Sequence, residues 1–208
     1  MSEQAATADE ALMRAYAGGD TRAFETLYDR HATRVWRYIF RGTRDNATAD
    51  ELAQDVWLRV ARAAPGYAPS AATAQRPVAR FTTWLLTLAH HRVVDHLRQQ
   101  RPTQSLDEPL HDERTLADTL AAPSGFGPLR QIENRQQAAQ LLAALDALPP
   151  EQRHSFLLQA EGGMSVAEIA DATGVGLETA KSRLRYAMSK LRLCMGAYLG
   201  AAALGRSS

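Results

Sequence analysis

Apolar residues that recur at helical spacing constrain the fold of this chain more than any other feature. The clearest series is Phe24, Leu27, Tyr28, His31, Val35 and Tyr38. Steps of three and four residues place these side chains along one face of a long amphipathic helix. The same periodicity runs through most of the chain, and no convincing run of alternating apolar and polar residues indicates a strand. The sequence therefore predicts an all-α fold.

Capping signals divide this periodicity into separate helices. Asp20, after a pair of glycines, is a plausible N-cap for the first long helix. Two segments match the capping box, Thr48 to Glu51 and Ser165 to Glu168. In this motif the hydroxyl of the first residue accepts a bond from the backbone N–H of the fourth, and the carboxylate of the fourth accepts one from the backbone N–H of the first. The first box predicts a helix that buries Leu52, Val56 and Val60.

Charge is balanced in total but segregated along the chain. With 24 basic and 23 acidic residues the net charge is +1, which does not by itself indicate a nucleic-acid-binding protein. Acidic residues concentrate in 45–55 and 107–118, and basic residues in 76–101 and 181–192. A charged partner responds to such local fields, so the distribution keeps nucleic-acid binding open.

The composition also bears on the compartment. Cys194 is the single cysteine, so an internal disulfide cannot form, which fits a reducing cytoplasm. The N-terminal residues do not resemble a signal peptide. The apolar run at 193–205 is shorter than the roughly 20 residues that a membrane span needs. We predict a cytoplasmic protein without membrane insertion and interpret that run as a helix end plus a loose tail, with a small docking helix as the alternative.

Two irregular segments predict the domain boundaries. A loop of about 14 residues rich in Pro, Ala and Ser follows residue 63, and loops of that length are usually functional or disordered. A polar, acidic stretch from Pro102 onwards reads as a linker. We predict a helical domain over 1–101, a flexible linker over 102–133, a second helical domain over 134–195 and a C-terminal tail over 196–208.

The second half of the chain contains the pattern of a helix-turn-helix. A short helix that opens at the second capping box is followed by a turn containing Gly174 and then by a long basic helix. In that last helix Ala180, Leu184, Ala187 and Leu191 share one face, while Glu178, Ser182, Arg185 and Ser189 share the opposite one. Such a polar, arginine-bearing face can enter the major groove of DNA, whereas a solvated basic face is the plain alternative.

At this level of detail the chain resembles the extracytoplasmic-function (ECF) group of bacterial sigma-70 family RNA polymerase sigma factors. The segments that carry the resemblance are GDTRAFETLYDRHATRVWRYIFR, ADELAQDVWLRV, FTTWLLTLAHHRVVDHLR and the helix-turn-helix region from ALPPEQRHSF to SKLR. They follow in the family's order over residues 10–101 and 135–193. The resemblance implies two small helical domains: a sigma domain 2-like bundle and a sigma domain 4-like helix-turn-helix.

The resemblance also implies roles for individual residues. Those expected to bind core polymerase are Asp50, Glu51, Gln54, Asp55 and Leu58. Those expected to contact the −10 element are Arg80, Trp84, His91, Arg92 and Arg98. Those expected to contact the −35 element are Glu178, Thr179, Lys181, Ser182, Arg183 and Arg185. The implied partners are core RNA polymerase, through its beta-prime clamp helices and beta flap, promoter DNA, and an anti-sigma factor.

Residues 90–96 allow a second interpretation. His90, His91, Asp95 and His96 lie within two helical turns. His91 and Asp95 are four residues apart and could share a metal ion, but His90 points about 100° away from His91, and no other Cys or His motif offers completing ligands. With Arg80, Arg92, Arg98 and Arg101 nearby, we instead predict a helix that faces melted DNA, to which partly protonated histidines add positive charge. The family commonly has Arg-Asn where this chain has His90-His91.

The sequence shows no Gly-rich phosphate loop, no nucleophile–base pair and no set of catalytic ligands. We therefore predict a non-enzymatic protein without a cofactor that directs core polymerase to promoters and aids their melting. One alternative is a stand-alone helix-turn-helix regulator whose first 100 or so residues form a sensor or dimerisation domain. The other is a metal-dependent hydrolase that uses the His/Asp cluster.

Overall fold

The computed structural model describes residues 8–67, 80–100 and 135–204, with side chains described for all of these except 135–139 and 195–204. These ranges contain α-helices, one short 3₁₀ turn at Ala64–Gly66 and no strand, which confirms the all-α fold. The helices are α1 (Asp9–Ala17), α2 (Thr21–Thr43), α3 (Asn46–Ala63), α4 (Phe81–Gln100), α5 (Arg135–Asp146), α6 (Pro150–Gly162), α7 (Val166–Thr173) and α8 (Leu177–Leu204).

Helices α1 to α4 form an N-terminal unit around α2, which packs against the other three. The predicted stripe of α2 supplies its core, since Leu27, Val35 and Tyr38 are fully buried. The apolar stripe of α3, which includes Val56 and Val60, packs against α2 and is buried as predicted. Two residues of the periodic face of α2 are exceptions: Phe24 is only partly buried, and Tyr28 remains half-exposed at the edge of the face.

Helices α5 to α8 form a C-terminal unit in which α8 packs against the other three. The predicted inward face of α8, comprising Ala180, Leu184, Ala187 and Leu191, is buried. It contacts the apolar side of α6, where Phe156 and Leu157 are buried, and α7, where Ile169 is buried. Pro150 occupies the first turn of α6, as expected for a residue that lacks a backbone N–H.

The structure confirms two of the predicted caps and corrects the third. The Asp20 carboxylate accepts a bond from Arg22 N at 3.0 Å, and Ser165 and Glu168 form the complete capping box. The box predicted at Thr48 is wrong. Helix α3 begins earlier because Asp45 is its N-cap, and the Asp45 carboxylate accepts a bond from the backbone N–H of Thr48 at 2.8 Å. An aspartate three residues upstream thus satisfies the donor that defines the helix start.

Both ends of the chain contain more helix than predicted. Helix α1 was not identified, because its apolar series is too short for periodicity to be distinctive. The prediction of a loose tail after residue 195 is wrong as far as Leu204, since α8 continues to that residue. Alanine and leucine are strong helix formers, which offsets the cost of the two glycines in this segment. The predicted linker and most of the 64–80 loop lie outside the described residues.

The two units pack against each other, α6 and α7 lying against α2 and α4. We call this contact the inter-unit interface. It comprises Arg37, Tyr38, Arg80, Thr83, His90 and His91 of the N-terminal unit and His154, Glu161, Gly163, Glu168 and Ala172 of the C-terminal unit. As far as the chain is described, none of its helices combines the length and apolar character that crossing a membrane requires.

Candidate functional site

An aromatic groove runs between α2 and α3 on the surface of the N-terminal unit. It has a volume of about 740 Å³, and Phe24, Tyr28, Trp36, Trp57 and Leu58 supply its apolar lining. Tyr28 and Leu58 remain 46% and 48% exposed, and the Tyr28 ring lies 5.0 Å from that of Trp57. Large apolar side chains exposed together in a concave surface are typical of a binding site for another protein. We name this surface the aromatic groove.

Polar side chains from α3 form one rim of the aromatic groove. Asp50 and Gln54 line it beside the apolar residues. The indole N–H of Trp36 donates to the Asp50 carboxylate at 2.7 Å, which fixes both side chains across the groove. The groove thus combines three of the five residues predicted to bind polymerase, Asp50, Gln54 and Leu58, with aromatic residues that the sequence analysis did not identify.

The other two predicted polymerase-binding residues do not line the aromatic groove. Glu51 is exposed on the neighbouring face of α3. Asp55 forms ion pairs with Arg59 at 3.6 Å and with Arg92 of α4. Because Arg92 was predicted to contact DNA, this ion pair joins a predicted polymerase-binding residue to a predicted DNA-binding one. The sequence does contain a signal for Trp36: it is a large aromatic residue that lies beside the buried stripe of α2 and not within it, which favours a surface role.

The residues predicted to contact the −10 element lie on or near α4, where the C-terminal unit covers part of their surface. The Arg80 guanidinium donates to the carbonyl oxygen of Gly163 at 2.7 Å, and His91 Nε2 lies 3.2 Å from the carbonyl oxygen of Ala172. Trp84 packs against Tyr67 with ring centroids 5.0 Å apart. Arg98 is exposed and lines a cleft between the two units.

The prediction that the histidines of α4 add positive charge is wrong for His90. Its side chain is buried, and Nδ1 forms a 2.8 Å hydrogen bond with the hydroxyl of Tyr38. Burial, followed by the nearby His154, lowers the pKa of His90 to about 3. His90 is therefore neutral near pH 7 and belongs to the core at the inter-unit interface. Among the described residues, no three His, Cys, Asp or Glu side chains are grouped so that they could hold a metal ion.

Helices α7 and α8 form the predicted helix-turn-helix. Gly174 ends α7 with a φ of 68°, a left-handed conformation that glycine adopts without steric cost. The outer surface of α8 exposes Glu178, Thr179, Lys181 and Arg185, with Ser182 half-buried between them. The Arg185 guanidinium lies 5.4 Å from the ring centroid of Tyr186. Arg183 differs from this group, because it lines the cleft between the units.

Comparison with known families supports both units of the fold. Residues 27–103 match the sigma-70 region 2 family and residues 138–191 match the sigma-70 region 4 family. The chain is 35% identical over 190 residues to the ECF RNA polymerase sigma factor SigK of Mycolicibacterium vanbaalenii, covering 90% of this chain and 89% of that protein. This chain is an ECF sigma factor of the sigma-70 family. The sigma factor CarQ of Myxococcus xanthus is 33% identical over 185 residues, covering 88% of this sigma factor and 95% of CarQ.

Solved structures share the fold of this sigma factor. CnrH, in its complex with the cytosolic domain of CnrY, gives a TM-score of 0.57 at 21% identity, covering 91% of this chain and 97% of CnrH. RpoE from Bartonella quintana, in complex with the anti-sigma factor NepR, gives a TM-score of 0.57 at 17% identity, covering 83% of this chain and 96% of RpoE. Both similarities confirm the helical architecture derived from the sequence.

Proposed function

We propose that this sigma factor binds core RNA polymerase through the aromatic groove and places it at promoters through α4 and α8. The observation that carries the proposal is the groove itself. Its exposed apolar lining and its rim of Asp50 and Gln54 offer a helical partner both area to bury and polar groups to pair with. The two helices of the polymerase clamp are the expected occupants.

Recognition of the −35 element is proposed for the outer face of α8. Arg185 and Lys181 are exposed there, and the buried stripe on the opposite side holds the helix against α6 and α7. An exposed arginine in the first turns of such a helix can pair with guanine in the major groove, while lysine on the flank reaches phosphates.

Capture of the −10 element is proposed for Arg80, which directly precedes α4, and for His91 and Arg98 of that helix. In the described arrangement Arg80 and His91 bond to the C-terminal unit, so that unit must move away before DNA can reach them. Promoter binding by the free protein is then expected to be weak, because closure of the two units competes with DNA. The protein performs no catalytic step in this role, since polymerase carries out the chemistry.

An anti-sigma factor is the proposed regulatory partner. The structural neighbour from Bartonella quintana is itself bound to an anti-sigma factor. The exposed apolar side chains of the aromatic groove offer a surface that such a partner can cover. Its binding would then exclude polymerase from the same groove.

Reconstituted transcription tests the proposal. Core polymerase with the wild-type protein is expected to start RNA synthesis at defined sites on genomic DNA. Gln54→Ala combined with Leu58→Asp is expected to lower core affinity at least tenfold, because it removes one rim amide and places a charge against the apolar lining. Arg62→Ala, on an exposed position of the same helix, is the matched control and is expected to bind normally. Sequence-specific repression or activation without core association would instead favour a stand-alone regulator.

A further inference from the structure

Two buried histidines face each other across the inter-unit interface. His90 of α4 and His154 of α6 are 6% and 5% exposed, and their ring centroids lie 5.4 Å apart in an edge-to-face arrangement. Tyr38 of α2 contacts both, at 6.4 Å from the His90 ring and 6.3 Å from the His154 ring. One imidazole therefore comes from each unit, and closure of the units is what buries the pair.

The surroundings of this pair are mainly cationic. Beside the two rings lies a cleft of about 260 Å³ that Arg98 and Arg183 also line, one arginine from each unit. The titratable and charged groups that face the pair are Tyr38 from α2, His91 and Arg98 from α4, Glu151 and Arg153 from α6, and Arg183 from α8. Glu151 is the single acid in this group, so a further positive charge in either ring is poorly compensated.

Hydrogen bonding also favours the neutral form of His154. Nε2 of His154 is buried and has no hydrogen-bond partner among the described residues. It points towards α2, where a β-carbon added at Gly42 would lie 3.4 Å away. A protonated imidazole carries two N–H donors, and a buried donor without an acceptor is costly. Protonation of His154 in the closed arrangement would therefore bury both a poorly compensated charge and an N–H without an acceptor among the described residues.

We propose that the inter-unit interface is an interaction surface controlled by protons: protonation of His90 and His154 releases the C-terminal unit from α2 and α4. Separation of the units hydrates both rings and removes the contact between them. It also moves apart the two arginines that share the cleft. The inference goes beyond the proposed function, because it concerns the free protein and requires neither polymerase nor DNA.

The direction of the pH dependence follows from the pKa values. Burial, followed by the charge of Arg153, lowers the pKa of His154 to about 4, while the pKa of His90 is about 3. In the open protein both should return to about 6.5. The closed arrangement is therefore fully favoured above that value and loses stability as the pH falls below it. Between about pH 7.5 and about pH 5.5 each histidine raises the opening constant about tenfold, so the pair raises it about 100-fold.

Small-angle X-ray scattering of the full chain tests this proposal. The radius of gyration is expected to increase between pH 7.5 and pH 5.5 while the helical circular dichroism stays constant, which distinguishes separation of the units from unfolding. The variant His90→Gln/His154→Gln keeps polar side chains of similar size that cannot be protonated, and it is expected to stay compact across this range. His96→Gln, on the same helix but outside the interface, is the control and should behave as the wild type does.

Two scattering results would overturn the proposal: a wild-type radius that does not change over this range, or a double variant that expands as the wild type does. If the double variant fails to fold, NMR titration of the imidazole resonances in the wild-type protein gives an independent answer. Both interface histidines are expected to titrate well below pH 6.5 whenever the protein is compact. Normal titration near pH 6.5 in the compact protein would disprove the mechanism.

Discussion

Trp36 is the residue that joins the apolar and polar parts of the aromatic groove. Trp36→Phe keeps an aromatic ring but removes the N–H that donates to Asp50. An internal hydrogen bond of this kind contributes about 1 kcal/mol to folding stability, so the melting temperature should fall by about 2–4 °C. Without the bond, the Asp50 side chain must be ordered when polymerase binds, at a cost of about 1 kcal/mol. We therefore expect about fivefold weaker binding to core polymerase, measured by fluorescence titration. Trp36→Ala should weaken binding further; unchanged affinity in both variants would remove Trp36 from the binding surface.

Gly42 lies at a close approach between α2 and α4. A β-carbon added there would lie 2.7 Å from Cγ1 of Val93, so that side chain must move. Overpacking of this kind typically costs about 1–3 kcal/mol. We expect Gly42→Ala to lower the melting temperature by several degrees in thermal unfolding. Gly66→Ala, where no atom lies within 4 Å of the added carbon, is the control; equal effects of the two changes would contradict the packing argument.

Helix α8 is the element whose two faces have the most distinct tasks. Arg185→Ala removes an exposed guanidinium from the proposed −35 surface without touching the buried stripe. Loss of one good base contact costs about 1–3 kcal/mol, so promoter-specific transcription should fall about tenfold while core affinity is unchanged. Lys190→Ala, exposed further along the same helix, is the control. A comparable loss in both variants would point to general charge attraction in place of base recognition.

Helix α7 depends on the carboxylate of Glu168, which accepts hydrogen bonds both within its own helix end and from α4. Glu168 completes the capping box with Ser165 and accepts a 2.9 Å bond from the Thr83 hydroxyl across the inter-unit interface. Partial burial acts to raise the pKa of Glu168, but the bonds from Ser165 and Thr83 and the nearby Arg80 outweigh it and hold that pKa below its usual value. The stabilisation is therefore present above about pH 4.5 and is lost as the pH falls further.

The two bonds of Glu168 can be separated by mutation. Ser165→Ala should lower the free energy of unfolding by about 1 kcal/mol in urea titrations near pH 7, because the N-cap is lost. Thr83→Val leaves the capping box intact and should weaken only the contact between units, which scattering detects. A Thr83→Val variant that destabilises α7 as much as Ser165→Ala does would show that the two bonds are not independent.

At the scale of elements, local signals explain which parts of the fold the sequence predicts. The capping box at Ser165, the turn at Gly174 and the inward stripe of α8 depend on neighbours within a few residues, and all three are confirmed. The start of α3 was misplaced because Asp45 and Thr48 both have capping side chains, and the sequence does not decide which one faces the free N–H groups. The aromatic groove was missed because it depends on how α2 and α3 pack together.

For the whole molecule, the inter-unit interface decides which surfaces are free. Arg37 and Glu161 form a 2.8 Å ion pair across it at a solvent-accessible position. Such pairs contribute up to about 1 kcal/mol, so Arg37→Glu or Glu161→Arg should shift opening about fivefold or less, measured from the average radius of gyration at pH 7.5. The double charge swap should restore closure. Single variants that match the double swap would show that the pair contributes nothing.

The interface could not be predicted from the sequence, whereas the two units could. Its hydrogen bonds join residues more than 80 positions apart, such as Arg80 with Gly163 and Thr83 with Glu168. No periodicity or spacing encodes contacts across that distance. His90 shows the consequence: its sequence neighbours suggested a histidine that adds positive charge to a DNA-facing helix, but tertiary packing against Tyr38 and His154 makes it a neutral core residue.

The central position of α6 has a consequence for the order in which the protein is made. Every residue of 152–158 is buried, and one side of α6 packs against α2 and α4. Because a ribosome releases the N-terminal helices first, the face of α4 that α6 later covers emerges while α6 is still unsynthesised. During that interval Leu86, which packs beside Gly162 in the complete protein, is exposed to water on the nascent chain. Any factor that recognises the uncovered face of α4 can therefore bind it first on the nascent chain.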